Sequence, residues 1–244
     1  MILAAGRGER MRPLTDHCPK PLLQVGGKPL IVWQIERMVA AGFRDIVVNV
    51  SYLGEQIVAA LGDGSAYGAR IEYSRERDPL ESAGGIAYAL PKLGSEPVLI
   101  AAADVYAELD FGRLAAARDW MLANRDADMG RSHLVLVPNR PFRPDGDYSL
   151  GPPQHPIPYG QVGKAGAPLH TWSGIGLFSV GLLREIPFGQ KIPLLPFFLD
   201  WIERERVTGE LYLGRWDNLG TPAQLQALDA ELKTAHGDPV RDDD

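Results

Sequence analysis

A glycine-rich loop with two nearby cations lies in residues 3–23, where the sequence reads LAAGRGERMRPLTDHCPKPLL. An apolar opening runs into a loop with Gly6 and Gly8, followed by Arg10 and then by Lys20 between two prolines. Glycines let backbone N–H groups approach a ligand closely, and a group of such donors can hold phosphate oxygens. Arg10 and Lys20 add a forked and a point-like positive charge. This stretch therefore predicts a seat for a nucleoside triphosphate.

Two well-known phosphate loops do not match this stretch. The dinucleotide fingerprint G-x-G-x-x-G needs a third glycine where Met11 stands. The P-loop G-x-x-x-x-G-K-[ST] needs a hydroxyl residue after its lysine, but Lys28 is followed by Pro29. A G-x-G turn alone is often only structural. The complete run of residues is much more specific than its glycine pair.

Length and composition predict one soluble domain. The chain has 244 residues, of which 45% are hydrophobic and 23% charged, and it can bury a sizeable core. We expect a single domain over residues 1–235 and a flexible acidic tail over 236–244. The net charge of −6 argues against nucleic acid as a partner.

Cysteine, histidine and hydropathy patterns exclude several other classes. The single cysteine, Cys18, excludes an intrachain disulfide, and the five histidines show no metal-ligand spacing. No apolar run has the length of a membrane span, and no signal peptide precedes the first strand. We therefore expect a cytoplasmic protein without a membrane partner. The sequence does not indicate its oligomeric state.

Strand and helix patterns alternate along the chain. After the loop, a helix over residues 29–41 and a buried strand over 43–50 complete a βαβ unit. Residues 124–130 form a polar connector. The other predicted helices cover residues 54–61, 81–89, 111–122, 193–205 and 221–233, and the other strands cover 70–73, 97–103, 133–138, 169–179 and 211–216. This alternation predicts an α/β sandwich with a mostly parallel central sheet and helices on both faces.

Residues 3–23 resemble the signature of the sugar-1-phosphate nucleotidyltransferases, L-A-A/G-G-x-G-x-R-[ML]-x-P-L-T followed by P-K-P-[LM]. The segment Pro79–Ile86, PLESAGGI, resembles P-L-E-[TS]-x-G-G-I of the short uridylyltransferases that act on N-acetylmuramate 1-phosphate. The similarity covers most of residues 1–230. It implies a Rossmann-like, GT-A-like nucleotidyltransferase sandwich. The Pro- and Gly-rich residues 139–168 would then be a small β-rich insertion that forms one wall of a sugar site.

The resemblance also implies a set of nucleotide contacts. Lys20 would bind the α-phosphate or the sugar phosphate, and Arg10 the β- and γ-phosphates. Glu81 would lie near the base or the sugar. Gly84 and Gly85 would let the helix approach the nucleotide, although a glycine pair at a helix start is an equally good structural explanation. The implied nucleotide-binding residues are Leu3, Ala4, Ala5, Gly6, Gly8, Glu9, Arg10, Lys20, Glu81, Gly84 and Gly85.

A metal site is expected at the ends of two strands. Asp104 follows a buried apolar strand, at the sheet edge where ligands bind in open α/β sheets, although an aspartate there could also be a cap. Carboxylate and amide oxygens suit Mg²⁺, with water and phosphates completing its shell. The resemblance implies Asp104 as one ligand and the aspartate of W-x-D-x-G-T as the other. That aspartate is Asn218 here, with Asp217 one place earlier, which suggests a weaker metal site.

Sugar contacts are implied for a further set of residues. The family's N-G-D reads Ala102-Ala103-Asp104 here, so the asparagine that usually contacts the sugar is missing. This difference concerns the choice of sugar more than the transfer chemistry. Ordinary turn residues are an alternative at each position of the set. The implied substrate-binding residues are Asn139, Asp147, Trp172, Ser173 and Gly174, with Tyr148 beside them.

The resemblance implies transfer of UMP from UTP to N-acetylmuramate 1-phosphate, with Mg²⁺ and release of pyrophosphate, in peptidoglycan recycling. The acceptor phosphate is already anionic near neutral pH, so no general base is required. Thymidylyl transfer to glucose 1-phosphate and guanylyl transfer to mannose 1-phosphate are alternatives. A catalytically weakened nucleotide-sugar-binding regulatory module, favoured by Ala102 and Asn218, is an alternative of another class. A dehydrogenase is a distant third.

Overall fold

The computed structural model describes residues 1–94, 97–124, 130–155 and 157–235. The flexible tail predicted over 236–244 and residues 125–129 of the predicted polar connector lie outside the described residues. Within the described ranges there is no helix with the length and apolar character that a membrane crossing needs.

The strands and helices alternate along most of the chain, as the sequence predicts. In order, the strands are β1 (Ile2–Leu3), β2 (Gln24–Val25), β3 (Lys28–Pro29), β4 (Asp45–Val50), β5 (Arg70–Arg75), β6 (Val98–Ala102), β7 (Val105–Ala107), β8 (Ser132–Val137), β9 (Tyr148–Gln154), β10 (Ile157–Gly163), β11 (Leu169–Phe178), β12 (Val207–Leu211) and β13 (Trp216–Asn218). The α-helices are α1 (Leu30–Ala40), α2 (Gly54–Leu61), α3 (Glu81–Ala89), α4 (Ala115–Ala123), α5 (Val180–Leu183), α6 (Leu195–Glu203) and α7 (Pro222–Ala235).

A nine-stranded sheet with the order β5-β4-β1-β6-β11-β8-β12-β10-β9 forms the centre of the described structure. Strands β5, β4, β1 and β6 pair in parallel, as do β12 and β8. Only β11 and β10 run against the other seven, which places antiparallel pairs in the second half of the sheet. The predicted α/β fold with a mostly parallel central sheet is confirmed.

Helices cover both faces of the sheet because its central strands are apolar on both sides. On β4, Ile46 and Val48 point into one core and Val47 into the other, as strand geometry requires. Residues of α1, α2 and α4 fill the first core, and residues of α3, α5 and α6 fill the second. A third cluster packs α7 against the turn formed by β2 and β3. Each large side chain buried in this way contributes about 1.5–3 kcal/mol.

The parallel pairing of β1 with β6 brings the two predicted parts of the site together. Leu3 lies opposite Ala102 in this pair, so the glycine loop after β1 and Asp104 after β6 leave the sheet side by side. Beyond Asp104, β7 pairs with β13, and Asn218 lies opposite Val105. The same sheet edge therefore collects all three segments.

The predicted last strand, residues 211–216, is wrong. The sheet strand is β12, four residues earlier, and it pairs in parallel with β8. Its central Gly209 weakens the strand pattern in the sequence, but a Cβ there would lie 2.9 Å from Val162 Cγ2 and 3.0 Å from the Leu134 carbonyl oxygen. The close packing of β12 against Val162 and Leu134 therefore requires a glycine at position 209. The same glycine made the strand difficult to predict from the sequence.

The Pro- and Gly-rich residues 139–168 extend the central sheet. Strands β9 and β10 form an antiparallel hairpin, and β10 pairs with β12. Pro152 and Pro153 lie in β9, at the end of the strand order, where missing N–H groups are tolerated. The residues that precede the hairpin reach the site described next.

Candidate active site

Two buried polar side chains, Asn49 and Thr15, hold the backbone of the glycine loop. The Ala4 N–H donates to Asn49 Oδ1 at 2.8 Å, and the Thr15 hydroxyl donates to the Gly8 carbonyl oxygen at 2.9 Å. Gly8 has a φ of 66°, and a Cβ there would lie 3.2 Å from Lys20 Cβ. Gly6 has no neighbour within 4 Å of such a Cβ, so its backbone faces open space. The loop is therefore positioned by the protein and open to a ligand.

Lys20 and Asp104 form an ion pair at this loop. Lys20 Nζ donates to Asp104 Oδ2 at 2.7 Å. The lysine side chain is 11% exposed and the aspartate side chain 33% exposed. A short helical turn at residues 20–22, with Pro19 and Pro21 around the lysine, holds the Lys20 backbone. The sequence predicts that this cation and this carboxylate bind the same ligand, and the structure places them in direct contact.

A cavity of about 890 Å³, the first cavity, opens above this pair. Glu81 lines it with a φ of 60°, in the left-handed region that non-glycine residues rarely adopt. Asn49, Ser82 and Lys191 also line it, although the sequence analysis did not identify them. The predicted residues on its walls are Leu3, Ala4, Ala5, Gly6, Gly8, Glu9, Arg10, Lys20, Glu81 and Asp104.

Asn49 connects the loop to the start of α3. Its amide donates to Glu76 Oε1 at 2.6 Å, and Glu76 Oε2 accepts the Leu80 N–H at 2.8 Å. Burial raises the pKa of Glu76, and the hydrogen bonds from Leu80 and Asn49 oppose this shift. A polar residue within the otherwise apolar run of residues 46–50 was the sequence signal for this role.

Gly84 and Gly85 do not line either cavity described here. A Cβ at Gly84 would overlap the Gln190 carbonyl oxygen, and one at Gly85 would lie 2.6 Å from Asn49 Nδ2. The N–H groups of Ala83 and Gly84 both donate to the Ile192 carbonyl oxygen at 3.1 Å. The geometry thus supports the structural explanation of the glycine pair. Gly84 lets the segment before α6 pack against α3, and Gly85 leaves room for Asn49 and Glu76.

Replacing Gly84 by alanine is expected to lower the free energy of unfolding by about 2 kcal/mol, because the backbone of residue 190 must move. Urea unfolding would measure this change. Gly94 is the matched control, since a Cβ there meets nothing within 4 Å, and Gly94→Ala should change stability by less than about 0.5 kcal/mol. Equal stability of the two variants would contradict the packing explanation.

A second cavity, of about 510 Å³, adjoins the first. Four residues line both cavities: Arg10, Ser82, Ala102 and Gly220. Ala102, which replaces the family's asparagine, therefore lies where the cavities meet. The predicted residues that line the second cavity are Asp147, Trp172, Gly174 and Asn218, with Tyr148.

Asn139 and Ser173, two predicted sugar contacts, lie outside both linings. The Asn139 amide donates to the carbonyl oxygens of Pro144 and Leu169 at 3.0 Å. The buried Ser173 hydroxyl accepts the Ile175 N–H at 3.2 Å. Both side chains therefore hold the backbone around the second cavity.

The structure orients Asn218, rather than Asp217, towards the site. Asn218 lines the second cavity, whereas Asp217 pairs with Arg215 at 3.4 Å. The Leu219 N–H donates to the Asp104 carbonyl oxygen at 2.9 Å, which ties the Asn218 strand to Asp104. One carboxylate and one amide oxygen suit a hard divalent cation that takes its other ligands from phosphates and water.

Asp104 and Asn218 alone offer few ligands to a metal ion. Among the described residues no group of three or more His, Cys, Asp or Glu side chains could hold a metal ion. Lys20 also competes with any metal for Asp104, since it donates to Asp104 Oδ2. A divalent ion held by Asp104 and Asn218 would therefore take most of its ligands from a phosphate chain and water.

Three residues at the mouth of the second cavity were not identified from the sequence. Phe142 is 53% exposed and Leu195 56% exposed, yet both line the cavity. Arg143 lies beside Phe142 on the same wall. They come from a proline-rich loop and from the start of α6, so no local spacing relates them to one another.

The chain is similar in sequence to known proteins. A family model described as nucleotidyl transferase matches residues 1–131. An N-acetylmuramate alpha-1-phosphate uridylyltransferase from Neisseria meningitidis is 46% identical over 231 residues, which cover 94% of this chain and 96% of that protein. The protein of the same name from Caulobacter vibrioides is 35% identical over 241 residues, or 96% of this chain and 97% of that one.

The fold is also shared with solved structures. A UDP-glucose pyrophosphorylase from Acinetobacter baumannii aligns with a TM-score of 0.76 and 14% identity, over 97% of this chain and 93% of that one. At this level of identity the likeness concerns the fold alone.

Proposed function

This chain belongs to the nucleotidyl transferase family, as a sugar-1-phosphate nucleotidyltransferase, and from that membership we propose that it transfers UMP from UTP to N-acetylmuramate 1-phosphate. The family resemblance inferred from residues 3–23 is confirmed. The choice of base and sugar is supported by the relatives from Neisseria meningitidis and Caulobacter vibrioides, which align over nearly the whole chain.

The observation that carries the proposal is the Lys20–Asp104 pair in the wall of the first cavity. Asp104 follows Ala102 by two positions, and Ala102 lines both cavities. The triphosphate would occupy the first cavity, with its phosphates against the loop N–H groups, Lys20 and Arg10. The acceptor sugar would occupy the second cavity, with its phosphate at the junction. Both reacting groups would then meet beside Asp104, within a single crevice.

In the proposed transfer, residues of this chain would orient the substrates and neutralise their charge, and none would need to accept a proton. Lys20 and Arg10 would neutralise the phosphate chain, and the loop would orient its oxygens for in-line attack by the acceptor phosphate. The acceptor is already an anion, so the attack requires no base. Enzymes of this family typically use a divalent metal.

Mg²⁺ is the metal in this proposal, with Asp104 and Asn218 as its protein ligands. When bound, it would offset the charge of the triphosphate. We place the reaction in the cytoplasm, where nucleoside triphosphates are made, and in the reuse of cell-wall sugars, since N-acetylmuramate is a cell-wall sugar.

The test is a pyrophosphate-release assay with a panel of substrates. UTP, dTTP, GTP and ATP are each combined with the 1-phosphates of N-acetylmuramate, N-acetylglucosamine, glucose and mannose. We expect the highest kcat/KM for UTP with N-acetylmuramate 1-phosphate, and loss of the rate when EDTA is added. A higher value for another pair would replace the assigned substrates. Nucleotide binding without release at any Mg²⁺ concentration would favour a regulatory module.

Replacing Asn218 by aspartate should lower the Mg²⁺ concentration that gives half-maximal rate by about five- to tenfold, because a charged ligand replaces a neutral one. A Mg²⁺ titration at fixed substrate concentrations would measure this midpoint. Asp217→Asn is the matched control, since Asp217 pairs with Arg215 and lines neither cavity. An unchanged midpoint in Asn218→Asp would remove Asn218 from the metal site.

A further inference from the structure

The second cavity carries few charged groups. Among the described residues that line it, the charged side chains are Arg10, Arg143 and Asp147. Arg10 also lines the first cavity, where the phosphates would lie, whereas Arg143 lines only the second. The second cavity thus has a cation of its own, in addition to the arginine that would meet the phosphate at the junction.

Arg143 is held in place by Asp147. Its Nη2 donates to Asp147 Oδ1, and Asp147 Oδ2 accepts the Trp172 N–H at 2.9 Å. The Asp147 side chain is largely buried, while the Arg143 side chain is 57% exposed. Because a guanidinium has five N–H donors, the bond to Asp147 leaves further donors free to meet a ligand. Asp147 therefore positions Arg143.

The surroundings of Arg143 are apolar. Phe142 and Leu195, both more than half exposed, line the same cavity, and Trp172 and Phe198 complete this surface. The rings of Trp172 and Phe198 pack edge to face, 4.8 Å apart. Such a wall fits small apolar groups, and the arginine at its edge fits an anion that is attached to them.

We propose that Arg143 binds the carboxylate of the lactyl ether on N-acetylmuramate 1-phosphate and so determines the choice of acceptor. This inference rests on the function proposed above. The acceptor has two anionic ends, a phosphate at C1 and the lactyl carboxylate at O3. The phosphate would meet Arg10 at the junction of the cavities, and the carboxylate would meet Arg143 in the second cavity. The lactyl and acetyl methyl groups would pack on Phe142 and Leu195.

Arginine suits this role better than lysine. Its planar fork can donate two parallel hydrogen bonds to one carboxylate, which adds geometric selection to the charge. N-acetylglucosamine 1-phosphate differs from N-acetylmuramate 1-phosphate only by lacking the lactyl group. When N-acetylglucosamine 1-phosphate is bound, the free Arg143 donors would bond to water instead. The binding of this acceptor should therefore not depend on Arg143.

The test compares these two acceptors in wild type, Arg143→Met and Arg143→Lys. With N-acetylmuramate 1-phosphate, Arg143→Met should lower kcat/KM about 10- to 100-fold, mainly through KM, because one charge-assisted contact is lost. With N-acetylglucosamine 1-phosphate the change should stay within about threefold, and Arg143→Lys should recover part of the loss. Arg118→Met is the matched control, since Arg118 pairs with Asp119 on α4 and lines neither cavity.

Two results would overturn the inference while the proposed function stands. Equal losses for both acceptors in Arg143→Met would show that Arg143 supports only the shape of the loop. No loss with N-acetylmuramate 1-phosphate would show that the carboxylate lies elsewhere. If the wild-type protein releases pyrophosphate only with other sugars, the proposed function and this inference fail together, and the panel assay identifies that case before any variant is made.

Discussion

Replacing Lys20 by methionine is expected to lower kcat/KM for pyrophosphate release by about 10²- to 10³-fold while leaving the fold intact. The Lys20 ammonium lies in the wall of the first cavity, 2.7 Å from Asp104. Methionine keeps much of the apolar stem but removes the charge that would neutralise the transferred phosphate. Asp104 is 33% exposed, so water can solvate its carboxylate in the variant and limit the loss of stability.

Steady-state kinetics and urea unfolding separate the two effects of Lys20→Met. Lys92→Met is the control, since Lys92 pairs with Glu72 on the surface and does not line the site. It should retain activity within about twofold. Wild-type activity in Lys20→Met would remove the lysine from the mechanism, and with it the assignment of the first cavity to the phosphates.

Replacing Asp104 by asparagine should also lower the rate by about 10²- to 10³-fold, because the site loses its carboxylate for the divalent ion. An amide oxygen can still accept the hydrogen bond from Lys20, so the nearly buried ammonium keeps a partner and the fold should persist. Raised Mg²⁺ should restore part of this rate, whereas the Lys20→Met variant should not respond. Kinetics over a range of Mg²⁺ concentrations would measure the difference.

The control for Asp104→Asn is Asp45→Asn, since Asp45 pairs with an exposed arginine, Arg70, at the start of β4. A loss in Asp104→Asn that no Mg²⁺ concentration changes would argue that the carboxylate acts only by holding Lys20. The double variant of Lys20 and Asp104 should be about as slow as the slower single variant, because the two groups act as one unit.

The centre of the site could be predicted because it follows from strand order. A glycine loop and an aspartate each follow a short apolar strand, and parallel strands place their carboxyl ends at one edge. The structure pairs β1 with β6, which brings Lys20 and Asp104 within hydrogen-bonding distance. Local sequence and a general rule of α/β sheets placed both segments at one edge, and the family resemblance supplied the roles of Lys20 and Asp104.

Other features depend on packing between distant segments, which local patterns do not contain. Gly84 resembles a ligand-binding glycine, yet the carbonyl oxygen that it accommodates belongs to Gln190. Strand β12 contains a glycine that weakens its pattern, and pairing with β8 outweighs that preference. Asn139 and Ser173 have the polar character of sugar ligands, but their side chains bond to the protein itself. Their partners are backbone groups and, for Asn139, also the Thr171 hydroxyl.

The wall of the second cavity could not be predicted from local sequence patterns either. Phe142 and Arg143 come from a proline-rich loop and Leu195 from a helix more than fifty positions later. Exposed apolar residues carry no periodic signal when each stands alone. Only the folded chain shows that they face a common space.

The two cavities adjoin and share Arg10, Ser82, Ala102 and Gly220 in their linings. In the proposed reaction, the finished nucleotide sugar would straddle both compartments as one molecule. While it stays, neither a fresh triphosphate nor a fresh acceptor can enter. Accumulated product would therefore compete with both substrates at once, and the enzyme would slow itself when demand for its product falls.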